Sequence, residues 1–181
     1  MLAAGVEAFA ERGYHATTTR DIAARAGVSA GALYVHFRSK EELLHAICRR
    51  GHERALALVG EAVAGADGPE ARLRAYVRTF TSWHAREHLV ARVVQDELDA
   101  LDPEHFAEVA ARRRELEHLL RGIVEDGVAA GAFAVDDVPA VALAVLSLGI
   151  DVARWSPRSP GRSPEQVGDL YADLAVRMVR A

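Results

Sequence analysis

Residues 17–44 read TTTRDIAARAGVSAGALYVHFRSKEELL, and this stretch predicts closely spaced helix starts. Thr18 and Asp21 have the spacing of a capping box, in which side chains satisfy the first free N–H groups of a helix. Gly27 predicts the end of that helix, because glycine readily adopts the left-handed backbone of a C-terminal cap. Ser29 then predicts the N-cap of a second helix. The pattern is that of two short helices joined by a tight turn.

A third helix start and an apolar opening segment complete a small domain. Ser39 and Glu42 repeat the capping-box spacing and predict the start of a longer helix. Helices as short as the first two are marginal alone, so their apolar side chains must pack on a neighbour. We expect that neighbour to be the opening segment, where Leu2, Val6 and Phe9 recur at helical spacing. The sequence therefore predicts a three-helix domain with a helix-turn-helix.

The helix that follows Ser29 has the properties of one that enters the major groove of DNA. Its first residues are too small to hold the backbone away from DNA, and its N-terminal end offers N–H donors to phosphate. Phosphate contacts position a protein on DNA, whereas base contacts specify sequence. We predict positioning mainly by Tyr34, His36 and Lys40, and base contacts by Ser29, Ala30, Gly31 and Thr19 or Arg20. The full predicted DNA-binding set is Thr18, Thr19, Arg20, Ser29, Ala30, Gly31, Tyr34, His36 and Lys40.

Composition is that of a soluble globular protein with a modestly basic first part. Half of the 181 residues are hydrophobic, and the net charge is -4. Residues 1–54 hold 8 of the 22 Lys/Arg but only 6 of the 26 Asp/Glu, which favours salt-sensitive binding to a few phosphates. The single cysteine, Cys48, excludes an internal disulfide and a cysteine metal cluster. A reduced, cytoplasmic location fits this cysteine usage.

The rest of the chain predicts helices throughout, so the expected class is all-α with about nine helices. From Ser39 onward, the expected helices span residues 39–63, 69–85, 89–98, 103–131 and 137–155, and a last helix begins at the capping box of Ser163. The longest apolar stretch, Val138 to Ile150, is shorter than the roughly 18 residues that a membrane-spanning helix needs. We therefore expect a buried helix there and no membrane anchor.

Two late helices carry apolar stripes that predict a dimer interface. Exposed stripes of this width usually need a partner, although both helices could instead pack on their own domain. Small residues such as Ala144 and Gly149 would let helices approach closely. The predicted interface residues are Val141, Val145, Leu148 and Val152 on one helix, and Val167, Leu170, Leu174 and Met178 on the other.

Residues 1 to about 54 resemble the N-terminal domain of the TetR family of one-component transcriptional regulators. The resemblance implies a homodimer closed by a four-helix bundle, with recognition helices roughly 34 Å apart on a palindromic operator. It also implies a helix-turn-helix domain over residues 1–47 and a ligand-binding and dimerisation domain over 48–181. Members usually carry basic residues ahead of the first helix; either the natural start lies upstream of Met1 or those contacts are missing. The matching groups are FAERGY at 9–14, TTT at 17–19, DIA at 21–23, AGVS at 26–29, LYVHF at 33–37 and KEELL at 40–44.

A regulator of this kind needs a small-molecule effector, which helical domains commonly bind between helices. The C-terminal half resembles the TetR subgroup that responds to acyl-CoA thioesters, in particular at residues 112–114, 123–127, 131–133 and 171–174. Phosphates of CoA would need cations, although an arginine run can equally be a solvated helix face. Candidate cations are Arg112, Arg113, Arg114, Arg154, Arg158 and Arg162. Predicted lining residues, each with core packing as the alternative, are Phe80, Trp83, His84, Val94, Leu98, Phe106, Leu116 and Leu120.

Catalysis is the competing class, and the sequence offers no nucleophile with an evident base. His84 and His88 stand four apart but lack the His-Glu-x-x-His order of a metalloprotease helix. We therefore expect no enzyme, no catalytic residue, no metal site and no cofactor. The preferred hypothesis is a ligand-controlled repressor, in which an effector displaces residues 89–98 and shifts the long helix after Ser39. The alternatives are a small-molecule-binding protein that has lost DNA binding and a transcriptional activator of the same fold.

Overall fold

The computed structural model describes residues 1–158 and 161–180, and these residues form nine α-helices without any strand. The predicted all-α class and helix number are thereby confirmed. Two short 3-10 turns, Leu98–Ala100 and Ser156–Arg158, interrupt the connections. The helices are α1 Leu2–Arg12, α2 Thr19–Arg25, α3 Ala30–His36, α4 Lys40–Ala64, α5 Gly68–Arg86, α6 His88–Asp96, α7 Pro103–Ala129, α8 Val138–Trp155 and α9 Pro164–Val179.

Side-chain caps start α2 and α3 at the predicted positions. The Thr18 hydroxyl accepts the N–H of Asp21, and the Asp21 carboxylate accepts the N–H of Thr18 at 2.9 Å, which completes the capping box. Ser29 accepts a backbone N–H from the first turn of α3. Gly27, between the two helices, has φ 68°, the left-handed conformation that the turn requires. The helix-turn-helix therefore follows from local side-chain chemistry.

The two later capping boxes have different outcomes. Ser163 and Gln166 form a complete box at the start of α9, as predicted. At the start of α4, Ser39 accepts the N–H of Glu42, but the Glu42 carboxylate accepts the N–H of Arg38. The predicted box is therefore only half formed, because the carboxylate satisfies an N–H one residue earlier in the chain.

The chain divides into two compact units, which we describe separately. The first consists of residues 1–53 and 89–112, and the second of residues 54–88 and the chain from residue 113 onward. The helices α4 and α7 each contribute residues to both units. The predicted domain boundary after residue 47 falls within α4.

The first unit contains α1, α2 and α3 together with α6 and the starts of α4 and α7. Leu33 of α3 and Leu43 of α4 are fully buried in its core, which Val93 and Val109 also join. A hydrogen bond also joins the loop after α1 to the end of α6: the backbone N–H of Tyr14 donates to the Glu97 carboxylate at 3.1 Å. The helix-turn-helix therefore shares its core with residues 89–112.

The second unit is organised around α5, against which α8 and α9 pack. Gly168 of α9 lies so close to α5 that a Cβ added there would sit 2.6 Å from the carbonyl oxygen of Arg78. Gly149 of α8 makes a similar approach to Phe80, with 2.9 Å from an added Cβ to the ring. Ion pairs join α5 to α9 along their length, and their order shows that the two helices run antiparallel. The pairs are Arg74 with Asp173, Arg78 with Asp169, and Arg86 with Glu165.

The expectation that the apolar stretch forms a buried helix was wrong. The helix continues past Ile150 to Trp155, and only 28% of its 18 residues are buried within the chain. Leu143 is 65% exposed and Leu148 is 46% exposed. By length and composition alone α8 is long and apolar enough to cross a membrane. The side that contains Gly149 packs on α5, so α8 is a bundle helix with an uncovered apolar side.

Candidate DNA-binding interface and effector region

The N-terminal tip of α3 is small and accessible. Ser29 and Gly31 are exposed, and Ala30 is half-buried. Gly31 has ordinary helical backbone, and the nearest atom to a Cβ added there is the Ser29 hydroxyl, at 3.8 Å. The folded chain therefore leaves room for a side chain at position 31. No contact within the chain therefore explains the glycine at this position.

Tyr34 links the recognition helix to the helix before it. Its ring is half exposed, and its hydroxyl lies 3.0 Å from the Thr19 hydroxyl on α2. Thr18, Arg20 and His36 are exposed. The predicted residues at and around α2 and α3 thus present hydroxyl, guanidinium and imidazole groups that can donate hydrogen bonds to phosphate oxygens.

Lys40 has a structural role that the sequence did not indicate. Its ammonium donates to the carbonyl oxygens of Tyr14 at 2.7 Å and Thr17 at 2.8 Å, and it lies 4.1 Å from the centre of the Tyr14 ring. Burial lowers the pKa of Lys40, and the nearby Glu97 carboxylate opposes that shift. An ammonium has three N–H donors. Lys40 therefore ties the loop between α1 and α2 to α4, with one donor beyond these two carbonyls.

Sequence reasoning missed two exposed residues of the same surface. Val35, the penultimate residue of α3, is 81% exposed, although an exposed β-branched residue contributes little to a helix. Arg38 is an exposed cation two residues after the end of α3. Their positions in the sequence could have indicated them, because both residues lie next to or near the predicted contacts Tyr34 and His36.

The predicted effector residues fall into both compact units. Phe80, Trp83 and His84 are buried on α5 in the second unit, and Leu116 and Leu120 are buried on α7 there. The His84 ring lies 4.2 Å from the Phe80 ring, and its Nδ1 is 2.8 Å from the Phe80 carbonyl oxygen. The remaining three belong to the first unit, where Val94 is buried, Leu98 is half-buried and Phe106 is exposed.

The candidate cations for CoA phosphates differ in exposure. Arg112 and Arg113 are half-buried, whereas Arg114, Arg154 and Arg162 are exposed. The side chain of Arg158 lies outside the described residues. The exposed group is accessible to a polyanionic ligand, although Arg154 also lies 3.9 Å from the Asp151 carboxylate. The half-buried pair interacts within the chain.

The predicted dimer stripe is divided by burial. Leu148, Leu170, Leu174 and Met178 are exposed, whereas Val141 is half-buried. Val145, Val152 and Val167 were also predicted to lie in the interface, but they are buried within the chain itself. They therefore belong to its core and are not part of an exposed surface. The periodicity placed these valines on the apolar side of each helix but did not separate the side that α5 covers from the side left open.

Comparison with known families agrees with this arrangement. The family described as "Bacterial regulatory proteins, tetR family" matches residues 1–47, and "Tetracyclin repressor-like, C-terminal domain" matches residues 66–179. The chain belongs to the TetR family. It is a ligand-controlled, DNA-binding transcriptional regulator, and the N-terminal match covers the helix-turn-helix described above.

Individual TetR-family relatives match almost the whole chain. The transcriptional repressor KstR2 of Mycolicibacterium smegmatis is 34% identical over 172 residues, which cover 93% of this chain and 83% of the relative. A tetR-family regulatory protein from Rhodococcus RHA1 is 44% identical with a TM-score of 0.94, covering 99% of this chain and 95% of that one. AibR, solved in complex with isovaleryl coenzyme A and operator DNA, is 25% identical with a TM-score of 0.86, covering 98% and 95%.

Proposed function

We propose that this TetR-family protein is a homodimeric repressor that binds a palindromic operator through α3 and leaves it when an acyl-CoA thioester binds. The tip of α3 carries the DNA-binding part of the proposal. Ser29 and Gly31 are exposed, and the fold tolerates a side chain at position 31. A glycine that the fold does not need is what close docking of a helix end in the major groove requires.

Positioning on DNA is proposed for the residues that surround this tip. Thr18, Arg20 and His36 are accessible to phosphates. Tyr34, whose hydroxyl already contacts Thr19, would orient a phosphate between α2 and α3. Val35 is proposed to contact a thymine methyl group, since apolar side chains recognise thymine by that group in the major groove.

A second copy of the chain is proposed to cover the open side of α8 and α9. Leu148 of α8 and Leu170, Leu174 and Met178 of α9 are each about two-fifths exposed in the single chain. Pairing two α8–α9 surfaces would form a four-helix bundle and bury these side chains. It would also supply the second recognition helix that a palindromic operator needs.

An acyl-CoA effector is supported by the relative AibR, which was solved with isovaleryl coenzyme A. In this chain, Phe80, Trp83 and His84 provide an aromatic group on α5 suited to the acyl part. Exposed arginines, with Arg114 and Arg154 among them, are suited to the phosphates of CoA. The proposed effector therefore needs both an apolar tail and a polyanionic head.

Coupling is proposed to pass through the segment from α6 to the start of α7. This segment shares a core with the helix-turn-helix, and Glu97 accepts the N–H of Tyr14. Tyr14 in turn accepts from Lys40, the first residue of α4. Displacement of α6 by the effector would disturb these bonds and alter the presentation of α3. A differential affinity of about 1 to 3 kcal/mol between the two states is enough for such regulation.

The proposal includes a cytoplasmic location and no catalytic activity. The TetR family is one of transcriptional regulators, which supports the absence of catalysis. The tip of α3 is intact, which argues against a binding protein that has lost its DNA contacts. An activator would use the same contacts and differ only in where its operator lies.

The test is fluorescence anisotropy with a labelled duplex from upstream of the protein's own coding region. The full chain should bind it with an affinity that falls steeply as salt rises, because phosphate contacts release counterions. Acyl-CoA thioesters of increasing chain length should then release the duplex, whereas free CoA and the free acid should not. Release by none of the thioesters would overturn the effector assignment alone, and failure of the folded dimer to bind the duplex would contradict autoregulation. A selection from random duplexes then decides DNA binding itself.

A further inference from the structure

Side chains from α4 and α7 meet in a polar cluster that DNA binding does not use. Glu41 lies in the first turn of α4, whereas Asp102 and His105 lie at the start of α7. One ligand atom from each of these three residues lies within 4.8 Å of the other two. All three belong to the first compact unit, although 64 residues separate Glu41 from His105.

The side chains of Glu41 and His105 are already in contact, and a carboxylate oxygen of Asp102 lies within 4.8 Å of the ligand atoms of both. His105 Nδ1 lies 2.8 Å from Glu41 Oε1 and 3.0 Å from Oε2. The backbone N–H of Asp102 donates to the same Oε1 at 3.1 Å, which orients the Glu41 carboxylate. Asp102 and His105 are three apart at the start of a helix, so their side chains share a face. A small separation of His105 from Glu41 would open a position between one nitrogen and two carboxylate groups.

The cluster contains two carboxylates and one imidazole; Glu41 and His105 are half-buried, whereas Asp102 is exposed. Glu41 is only 13% exposed, and its partner His105 carries charge only when protonated. Among the described residues, no lysine or arginine pairs with Glu41 or Asp102. A partly buried carboxylate without a permanent cation is costly, and a divalent ion would compensate both carboxylates at once.

Outer contacts hold the imidazole in place. The His45 ring stacks on the His105 ring with centroids 3.7 Å apart and 6° between the planes. His45 Nε2 lies 2.9 Å from a carboxylate oxygen of Glu108. The stack restricts rotation of the His105 ring, whose Nδ1 faces Glu41.

We propose that Glu41, Asp102 and His105 bind a divalent transition-metal ion, with Zn²⁺ as the best match to their chemistry. One imidazole nitrogen and two carboxylates suit Zn²⁺ or Co²⁺, whereas Mg²⁺ and Ca²⁺ prefer oxygen ligands alone. The ion would join the first turn of α4 to the first turn of α7. Since α4 begins four residues after α3 ends, occupancy would stabilise the unit that presents the recognition helix.

The test uses the full chain, stripped with EDTA and freed of chelator, with Zn²⁺ titrated while the melting temperature is followed. Asp102→Asn removes a ligand charge and keeps a good N-cap for α7, and His105→Gln removes the imidazole. His118→Gln, an exposed histidine elsewhere on α7, is the matched control. Co²⁺ absorption in the visible range gives a second readout that does not depend on stability.

Zn²⁺ should raise the melting temperature of the wild type, and Mg²⁺ at the same concentrations should not. The Zn²⁺ midpoint should move at least about ten-fold higher in Asp102→Asn and His105→Gln, with the Co²⁺ band lost, while His118→Gln behaves as wild type. An unchanged melting temperature and no Co²⁺ band in the wild type would overturn the proposal. Wild-type midpoints in both ligand variants would also overturn it, because the ion would then bind elsewhere.

Discussion

Gly31 in the first unit and Gly168 in the second are both helical glycines, yet they serve opposite purposes. A Cβ at Gly31 would meet nothing closer than 3.8 Å, whereas a Cβ at Gly168 would lie 2.1 Å from the Ser82 hydroxyl and 2.6 Å from a backbone oxygen. Gly168 is thus required by contacts inside the chain, between α9 and α5. Gly31 is free of such contacts, so the fold leaves it available for the close approach to DNA that we propose. The difference separates a glycine that the fold requires from one that it does not.

Replacing Gly168 with alanine should have the largest effect on stability. The α5 backbone cannot move aside as a flexible side chain could, so α9 must shift away from α5. We expect a loss of about 1–3 kcal/mol in the free energy of unfolding, measured by urea denaturation. Gly122→Ala on α7 is the control, because an added Cβ there meets no atom within 4 Å. Equal stability of both variants would contradict the close approach of α9.

Lys40→Ala should lower both stability and DNA affinity, because Lys40 contacts two backbone carbonyls and is also proposed to contact DNA. Loss of the two carbonyl contacts should lower the melting temperature, and the affinity for every duplex should fall by about ten-fold, or 1.4 kcal/mol. The slope of log affinity against log salt should decrease by about one if a phosphate contact is lost. Arg50→Ala, an exposed cation farther along α4, is the control. An unchanged slope would leave Lys40 with its structural role alone.

Thr18→Ala should remove the capping box of α2 and cost about 1 kcal/mol of stability. The effect should also change the response to acid. Hydrogen bonds from Thr18 lower the pKa of Asp21, so this stabilisation is present at neutral pH and is lost as the pH falls below about 4. Only the bond from the Thr18 hydroxyl to the Asp21 carboxylate depends on that charge, so the wild type should lose part of its advantage over Thr18→Ala in acid. An undiminished difference between the two at pH 3, measured by denaturation, would exclude the Asp21 contribution.

Val35→Ala should have the smallest effect on stability and a selective effect on DNA. Because the side chain is almost fully exposed, we expect the free energy of unfolding to change by less than about 0.5 kcal/mol. Selection from random duplexes should show relaxed preference for thymine at one position of each half-site. An unchanged base preference would show that Val35 does not contact a base.

The same two regions show how much the sequence could predict. The caps at Thr18, Ser29 and Ser163 depend on residues three positions apart, so their outcome is local and was predictable. Burial of Val145 and exposure of Leu148 were not, because periodicity identifies an apolar face without identifying the helix that covers it. The helix-turn-helix is therefore largely readable from its residues, and the bundle is not.

Contacts between distant segments account for the rest. The proximity of Glu41 and His105 depends on the packing of α4 against α7, and no spacing in the sequence indicates it. The bond from Tyr14 to Glu97 likewise joins residues 83 positions apart. Both contacts place residues 89–112 in the same compact unit as residues 1–53.

The most direct test of the proposed interface is to measure operator affinity and unfolding free energy together in Gly31→Leu. Leucine is a good helix former and the position is open, so stability should stay within about 1 kcal/mol of the wild type. Affinity for the operator should fall at least ten-fold, about 1.4 kcal/mol or more, because the side chain would separate α3 from the groove. Wild-type affinity in a stable Gly31→Leu protein would contradict the claim that the tip of α3 docks closely on DNA.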